Sequence, residues 1–254
     1  MKKLLVFAVL SCILFSCEKE DTGLPVTIDG LNYCLFHGNM AIIDSNKTWE
    51  GELNIPETIE DKGESYTVKG IMVFSFNGCT GLTKVRIPET IDRIIFHALN
   101  GMNGAVSSDE TNLFGGCTAL ESIEVDKANS ILSSVDGVLF NKDRTHLYSY
   151  PAGAKQENYT IPEGTTSIGN SAFAFCESLQ ILDIPKSVQH IGSSAFMCTH
   201  LKVIIIRGTF PEGLHKESFE GVDAATIIYV QQSEIEKFKK VYSGTVLPLE
   251  SFQD

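Results

Sequence analysis

The chain has 254 residues, enough for one long domain or two with a sizeable core. Its formal charge is −12, from 20 basic and 32 acidic side chains. An acidic surface lacks the basic footprint that nucleic-acid binding requires, so that class is set aside; the plainest role of the charge is solubility.

Met1-Lys2-Lys3 forms a positive n-region and Leu4 to Phe15 an apolar stretch too short to cross a bilayer comfortably. Leu14-Phe15-Ser16-Cys17 lacks the small-x-small site of an ordinary signal peptide. It resembles the lipobox of bacterial lipoproteins, with Phe15 a loose fit. That resemblance implies cleavage before Cys17 and lipidation of Cys17, so residues 1–17 are read as a lipoprotein signal peptide. Removing Lys2 and Lys3 leaves 18 basic against 32 acidic residues and a charge of −14. Residues 18–25 read as a polar tether. Within it, Lys19-Glu20-Asp21 resembles the export signal of surface lipoproteins in the Bacteroidetes; a solvated linker has the same composition.

Ordered structure is expected from Val26. Val26 to Phe36 reads as one strand, His37-Gly38-Asn39 as a turn and Met40 to Ile43 as the returning strand. Leu53 to Pro56 and Tyr66 to Val68 read as short strands joined by a polar loop at 60–65. Residues 26–70 are expected to close one end of a repeat array, because an open repeat end exposes core.

The array itself shows in the recurrence of one pattern. Ile161 to Leu179 reads Ile-Pro-Glu-Gly-Thr-Thr-Ser-Ile-Gly-Asn-Ser-Ala-Phe-Ala-Phe-Cys-Glu-Ser-Leu and recurs from Ile184-Pro185 through Ala195-Phe196 to Leu201. Pro162 and Pro185 are 23 residues apart, inside the leucine-rich range. Ile71, Phe76, Cys79, Leu82 and Pro88 lie 97 residues before Ile168, Phe173, Cys176, Leu179 and Pro185. One such unit cannot bury its apolar face alone, whereas stacked units bury it in a shared core. The repeats span 71–206, interrupted by a polar, Gly/Ser-rich insertion at 100–112 and a hairpin island at 130–153. In the island, Val135 to Phe140 and Thr145 to Tyr150 flank the turn Asn141 to Arg144. Residues 207–254 read as a strand-helix cap: Thr226 to Val230 as a strand, then Ser233 and Glu236 at capping-box spacing, with Ile235, Phe238 and Val241 on one helix face.

This pattern, Ile-Pro-x-x-(Val/Thr/Ile)-x-x-Ile-(Gly)-x-x-Ala-Phe-x-x-Cys-x-x-Leu, resembles the BspA-type leucine-rich repeat first recognised in Bacteroidetes surface antigens. Asp29 to Tyr33, Ser134 to Phe140 and Tyr229-Val230 are similar to flanking segments of that family. Departures are Met72 and Ile95 where Gly is usual, and Leu99 where Phe is usual. The expected fold is mainly β: a leucine-rich repeat solenoid of roughly 23-residue repeats with a β-hairpin N-terminal cap and a strand-helix C-terminal cap. The resemblance implies a cell-surface or secreted module associated with adhesion, with no conserved catalytic residues.

Gly-x-Ser-x-Gly, His-Glu-x-x-His and a phosphate-binding glycine loop do not occur in the sequence. Cys34-Leu35-Phe36-His37 has ligand-like spacing but is half a zinc site, and a strand cysteine is the plainer reading. No enzyme, cofactor or metal is therefore expected. Of Cys34, Cys79, Cys117, Cys176 and Cys198, four fall at or beside one inward repeat position and read as small core residues rather than disulfides.

In the Leu-x-x-Val-x-Ile strands, Leu82, Val85, Ile87, Leu120, Ile123, Val125, Leu179, Leu182, Ile184, Leu201, Ile204 and Ile206 are expected to point in. The outward row is then Lys84 and Arg86, Glu121 and Glu124, Ile181 and Asp183, Val203 and Ile205, turning apolar at Ile181, Val203 and Ile205. That row is the candidate binding face for a protein or glycan, unless the C-terminal cap covers its apolar end. The expected function is a lipid-anchored cell-surface binding module in the outer membrane, held by its N-terminal lipid. The alternative is a structural scaffold facing the periplasm. Cys17→Ala should release the chain from the membrane fraction on cell fractionation; unchanged partitioning would refute the lipoprotein reading.

Overall fold

The computed structural model describes residues 25–36, 38, 40–44, 48–95, 112–197 and 199–253. The signal peptide, Cys17, residues 18–24, His37, Cys198 and the insertion as far as residue 111 lie outside them.

The first expected strand is two. β1 (Pro25–Ile28) and β2 (Leu31–Phe36) pair antiparallel with Ile28 opposite Leu31. Asp29 and Gly30 both have positive φ, 49° and 82°, the backbone of a two-residue hairpin turn. β3 (Met40–Ile43) then pairs antiparallel with β2, as expected. After β4 (Glu50–Asn54), the expected 60–65 loop is a second tight hairpin: β5 (Thr58–Asp61) and β6 (Glu64–Met72) turn at Lys62-Gly63. Only Ile59 of β5 is buried, so this charged edge strand had no apolar alternation to announce it.

From here the strands fall into parallel ladders. β7 (Gly81–Ile87) pairs with β4 and with β9 (Ser122–Val125), while β8 (Arg93–Ile95) pairs with β6, which also pairs with β3. The island forms a three-stranded antiparallel meander of β10 (Leu132–Val135), β11 (Val138–Asn141) and β12 (His146–Ser149). Val135 to Phe140, read as one strand, turns at Asp136-Gly137 with φ 51° and 79°. Both Asp-Gly pairs sit inside β-prone runs, and in each case the turn signal outweighs the run.

The C-terminal half repeats the two ladders. β13 (Asn158–Thr160), β15 (Ile181–Ile184), β17 (Val203–Ile206), β18 (Ile227–Val230) and β19 (Thr245–Pro248) form one parallel sheet. β14 (Ser167–Ile168) and β16 (His190–Ile191) continue from β12 in another. Partners Asn158 and Ile181, or Ser167 and His190, are one 23-residue repeat apart. Parallel pairing needs such long crossovers, and here each repeat supplies its own.

The inward positions are buried as expected, apart from half-buried Val125. Behind them a column of rings runs through the C-terminal half. Tyr150, Phe173, Phe196, Phe219 and Tyr242 are each 23 residues apart and meet in succession at centroid distances of 5.3, 6.2, 5.7 and 5.1 Å. Phe76 and Phe114 make the corresponding contact in the N-terminal half at 5.5 Å. Asn129, fully buried, ties a non-repeating segment to the repeats. It donates to the carbonyls of Pro88 and Ile91, both at 2.8 Å, and accepts from the amides of Ile131 and Leu132.

The expected capping box does not form. Ser233 lies in a 3₁₀ turn (Gln232–Glu234) that runs into the one-turn helix α1 (Ile235–Phe238), and its hydroxyl reaches Glu234. Glu234, not Glu236, is the buried acid: it accepts from Lys237 and from the amide of Phe210. The apolar stripe holds, with Ile235 and Phe238 buried and Val241 half-buried. Phe196→Ala removes the middle ring of the column and should cost about 3–5 kcal/mol, read from the urea midpoint; a loss under about 1 kcal/mol would mean the rings do not carry the stack.

Candidate functional site

The outward row predicted from the strands is not one face. The β10–β12 meander comes between β9 and β13 in the chain, and the two sets of strands belong to separate sheets.

The N-terminal face is polar. Register places Glu52, Lys84 and Ser122 in one row and Asn54, Arg86 and Glu124 in the next. Glu121 is therefore not in the row. It precedes β9, is exposed, and lies 3.5 Å from Lys155, while Ser122 stands opposite Lys84. Lys84 and Arg86 both pair with Glu124, Arg86 at 2.9 Å. The hydrogen bond from Lys84, then the charges of Lys84 and Arg86, hold the Glu124 carboxyl below its ordinary range. Charges on this face thus answer one another across neighbouring strands. Exposed pairs of this kind contribute little to stability, about 0–1 kcal/mol each.

The C-terminal face is apolar at its centre. One row runs Asn158, Ile181, Val203, Ile227, Thr245; the next runs Thr160, Asp183, Ile205, Tyr229, Leu247. Ile181, Val203 and Ile227 are half-buried and adjacent. Ile205, expected to be exposed with them, is only 2 % exposed. Its register neighbours explain this. Asp183 on one side is bonded bidentately to Arg207 at 2.8 and 2.7 Å; Tyr229 on the other meets the Phe252 ring at 5.0 Å. Lys202, bonded to Gln180 at 2.6 Å, borders the patch. β18 and β19 extend this sheet, adding Ile227, Tyr229 and Leu247 to the face. The sequence reading missed all three, although Thr226 to Val230 was recognised as a strand. Its alternation matches Lys202 to Ile206, the available signal for Ile227 and Tyr229.

Chemical groups elsewhere are quiet. Among the described residues no cluster of three or more His, Cys, Asp or Glu is placed to hold a metal. No described helix is long and apolar enough to cross a membrane. Cys79, Cys117 and Cys176 are buried free thiols, and Cys34 is half-buried. Cys79 donates to the carbonyl of Trp49, just before β4, at 3.1 Å, and Cys117 to that of Phe76 in the preceding repeat at 3.0 Å. Burial pushes the Cys117 thiol up to about 12 and raises that of Cys176 as well. Such thiols are poor nucleophiles.

Parallel ladders one repeat apart, with leucines, isoleucines and a thiol at fixed inward positions, define a leucine-rich repeat protein. The chain belongs to the BspA type leucine-rich repeat family, which it matches in six copies over residues 57–135 and 146–252. No curated protein matches the chain in sequence. Among solved structures it is similar to a leucine-rich cell surface protein from Faecalibacterium prausnitzii, at 17% identity over 89% of this chain and 94% of that one, TM-score 0.40. It is similar also to the leucine-rich repeat protein of T. pallidum, at 20% identity over 88% and 100%, TM-score 0.43. A third is a leucine-rich repeat protein from Bacteroides capillosus, at 16% identity over 71% and 96%, TM-score 0.35. The family assignment rests on the repeat match and not on these.

The buried acids give a pH prediction. The ordinary thiol value is 9.0 and Cys117 is held at about 12; the ordinary phenol value is 10.0 and burial, then Asp29, holds Tyr33 at about 12. Above their ordinary values these groups ionise more readily in the unfolded chain. Their contribution is complete below pH 9 and lost as pH climbs toward 12. The urea midpoint should be level from pH 7 to 8.5 and fall above about 9; a level midpoint to pH 11 would contradict the burial of these groups.

Proposed function

We propose that the chain is a lipid-anchored, cell-surface binding module of the outer membrane that docks a protein partner on the C-terminal sheet face. In this reading the ladders form a solenoid, closed by the β-hairpins of 26–70 at one end and by the strand-helix segment of 207–254 at the other. The observation that carries it is the in-register patch of Ile181, Val203 and Ile227, bordered by Tyr229 and Leu247. Contiguous apolar side chains on an outer sheet face cost solubility and mark contact sites. The charged face lacks that feature, since Lys84, Arg86 and Glu124 already answer one another. Membership of a repeat family typical of cell surfaces supports the location, as do the lipobox-like Cys17 and the Lys19-Glu20-Asp21 tract. Leucine-rich repeat proteins are generally binding modules rather than catalysts, which supports a role without turnover.

The test has two stages. Protease shaving of intact cells should cleave the chain; protection until the envelope is broken would favour a periplasm-facing scaffold. An array of purified extracellular proteins is then probed with wild type, Val203→Lys and Lys84→Ala. Val203→Lys should weaken binding at least tenfold with an unchanged melting temperature, and Lys84→Ala should leave binding intact. Equal binding by all three would place the contact elsewhere.

A further inference from the structure

A second feature stands apart from the sheet face. A concavity of about 360 Å³ opens between the β1–β2 turn and the start of β4, lined by Gly30, Asn32, Thr48, Trp49 and Glu50. Its volume lies within the range of small-molecule sites. Trp49 is the chain's only tryptophan. It is half-buried: it packs against the N-terminal core and also lines the concavity. Two contacts hold the ring. Its Nε1–H donates to the carbonyl of Glu52 at 3.3 Å, and its Cζ3 lies so near Gly30 that a Cβ there would come within 3.3 Å. The glycine that makes the hairpin turn therefore also lets the ring lie against it.

Hydrogen-bonding groups of both senses surround this plate. The Asn32 amide is oriented by the Thr27 hydroxyl, which donates to its Oδ1 at 2.7 Å. Thr48 brings a hydroxyl and Glu50 a carboxylate, both on exposed residues. The Thr48 hydroxyl and the acceptor-only Glu50 carboxylate, beside the oriented Asn32 amide, match a ring of ligand hydroxyls. The indole offers a flat apolar surface for the C–H face of the same ring. The carboxylate disfavours anionic ligands, and the site presents one aromatic ring rather than the cage that holds a quaternary ammonium. We propose that this concavity is a subsite for a neutral oligosaccharide, with Trp49 as the stacking platform and Asn32, Thr48 and Glu50 as the hydroxyl-binding rim. The proposal does not depend on the sheet face.

Trp49 itself reports on the site, because indole emission has a single source in this chain. The full-length protein is titrated with maltotriose, cellotriose, laminaritriose and chitotriose as neutral probes, and with trigalacturonate and choline as charged ones. The expected result is a saturable emission change with at least one neutral trisaccharide and none with the charged probes. By calorimetry, the Thr48→Ala/Glu50→Gln double variant should bind that sugar at least tenfold more weakly while keeping the wild-type melting temperature, since both residues are exposed. Trp49→Ala can disturb the core it packs against, so the rim variant carries the test. Failure of all four neutral sugars to saturate, saturation by choline or trigalacturonate instead, or wild-type affinity in the rim variant would each overturn the proposal.

Discussion

Stacking of one repeat on the next is the constraint on which the rest of the structure depends. A single unit exposes an aromatic ring, a thiol and several branched aliphatic side chains on both of its flat sides. Burial of those sides requires a neighbour with the same side chains at the same height. The Tyr150 to Tyr242 column shows the requirement met four times in succession. Its two tyrosines stand at the ends. The Tyr242 hydroxyl donates to the carbonyl of Thr226 at 2.7 Å, and that of Tyr150 lies 3.4 Å from Gln156. Phenylalanine occupies the interior positions, where a hydroxyl would need a partner within the stack.

Backbone groups between the strands face the same demand, because buried amides and carbonyls need partners. Much of it is met from the adjacent repeat. The amides of Ser171, Phe173 and Phe175 donate to the carbonyls of Ser193, Ala195 and Met197. Where the repeat is interrupted, side chains take over. Asn129 supplies four bonds beside the meander, and Asn112 donates to the carbonyl of Ser171 at 2.8 Å. The thiols of Cys79 and Cys117 act in the same way toward the segment stacked before them. Small size and a weak donor suit cysteine to a position facing both apolar side chains and one carbonyl.

Parallel register turns a linear period into rows on the outer surface. The residue after a given inward position in one repeat stands beside its counterpart in the next. Two such surfaces result, and they differ in chemistry: on one, charges from adjacent strands neutralise each other, and on the other, branched aliphatics meet side by side. Removing water from the second surface costs little in desolvated charge.

Much of this was legible in the residues. The 23-residue recurrence, the inward leucines, isoleucines and phenylalanines and Cys79, Cys117 and Cys176 as core residues follow from local spacing, because an inward position is inward in every repeat whatever lies outside it. The outer surface was less legible. Ile205 lies between Asp183, paired with Arg207, and Tyr229, neighbours set by register across three successive strands. The splitting of the predicted row depends on a meander inserted between repeats, and Ser122 rather than Glu121 stands beside Lys84 because pairing, not charge, sets the register. The Asp-Gly hairpins carried turn signals that the β-prone runs around them concealed, and β5, with Ile59 alone buried, had no apolar alternation to reveal it. The sequence by itself determined which side chains must leave water, since that is a property of each repeat. Only the tertiary structure decided which outward side chains share a surface, since that depends on neighbours a full repeat away and on what lies between them.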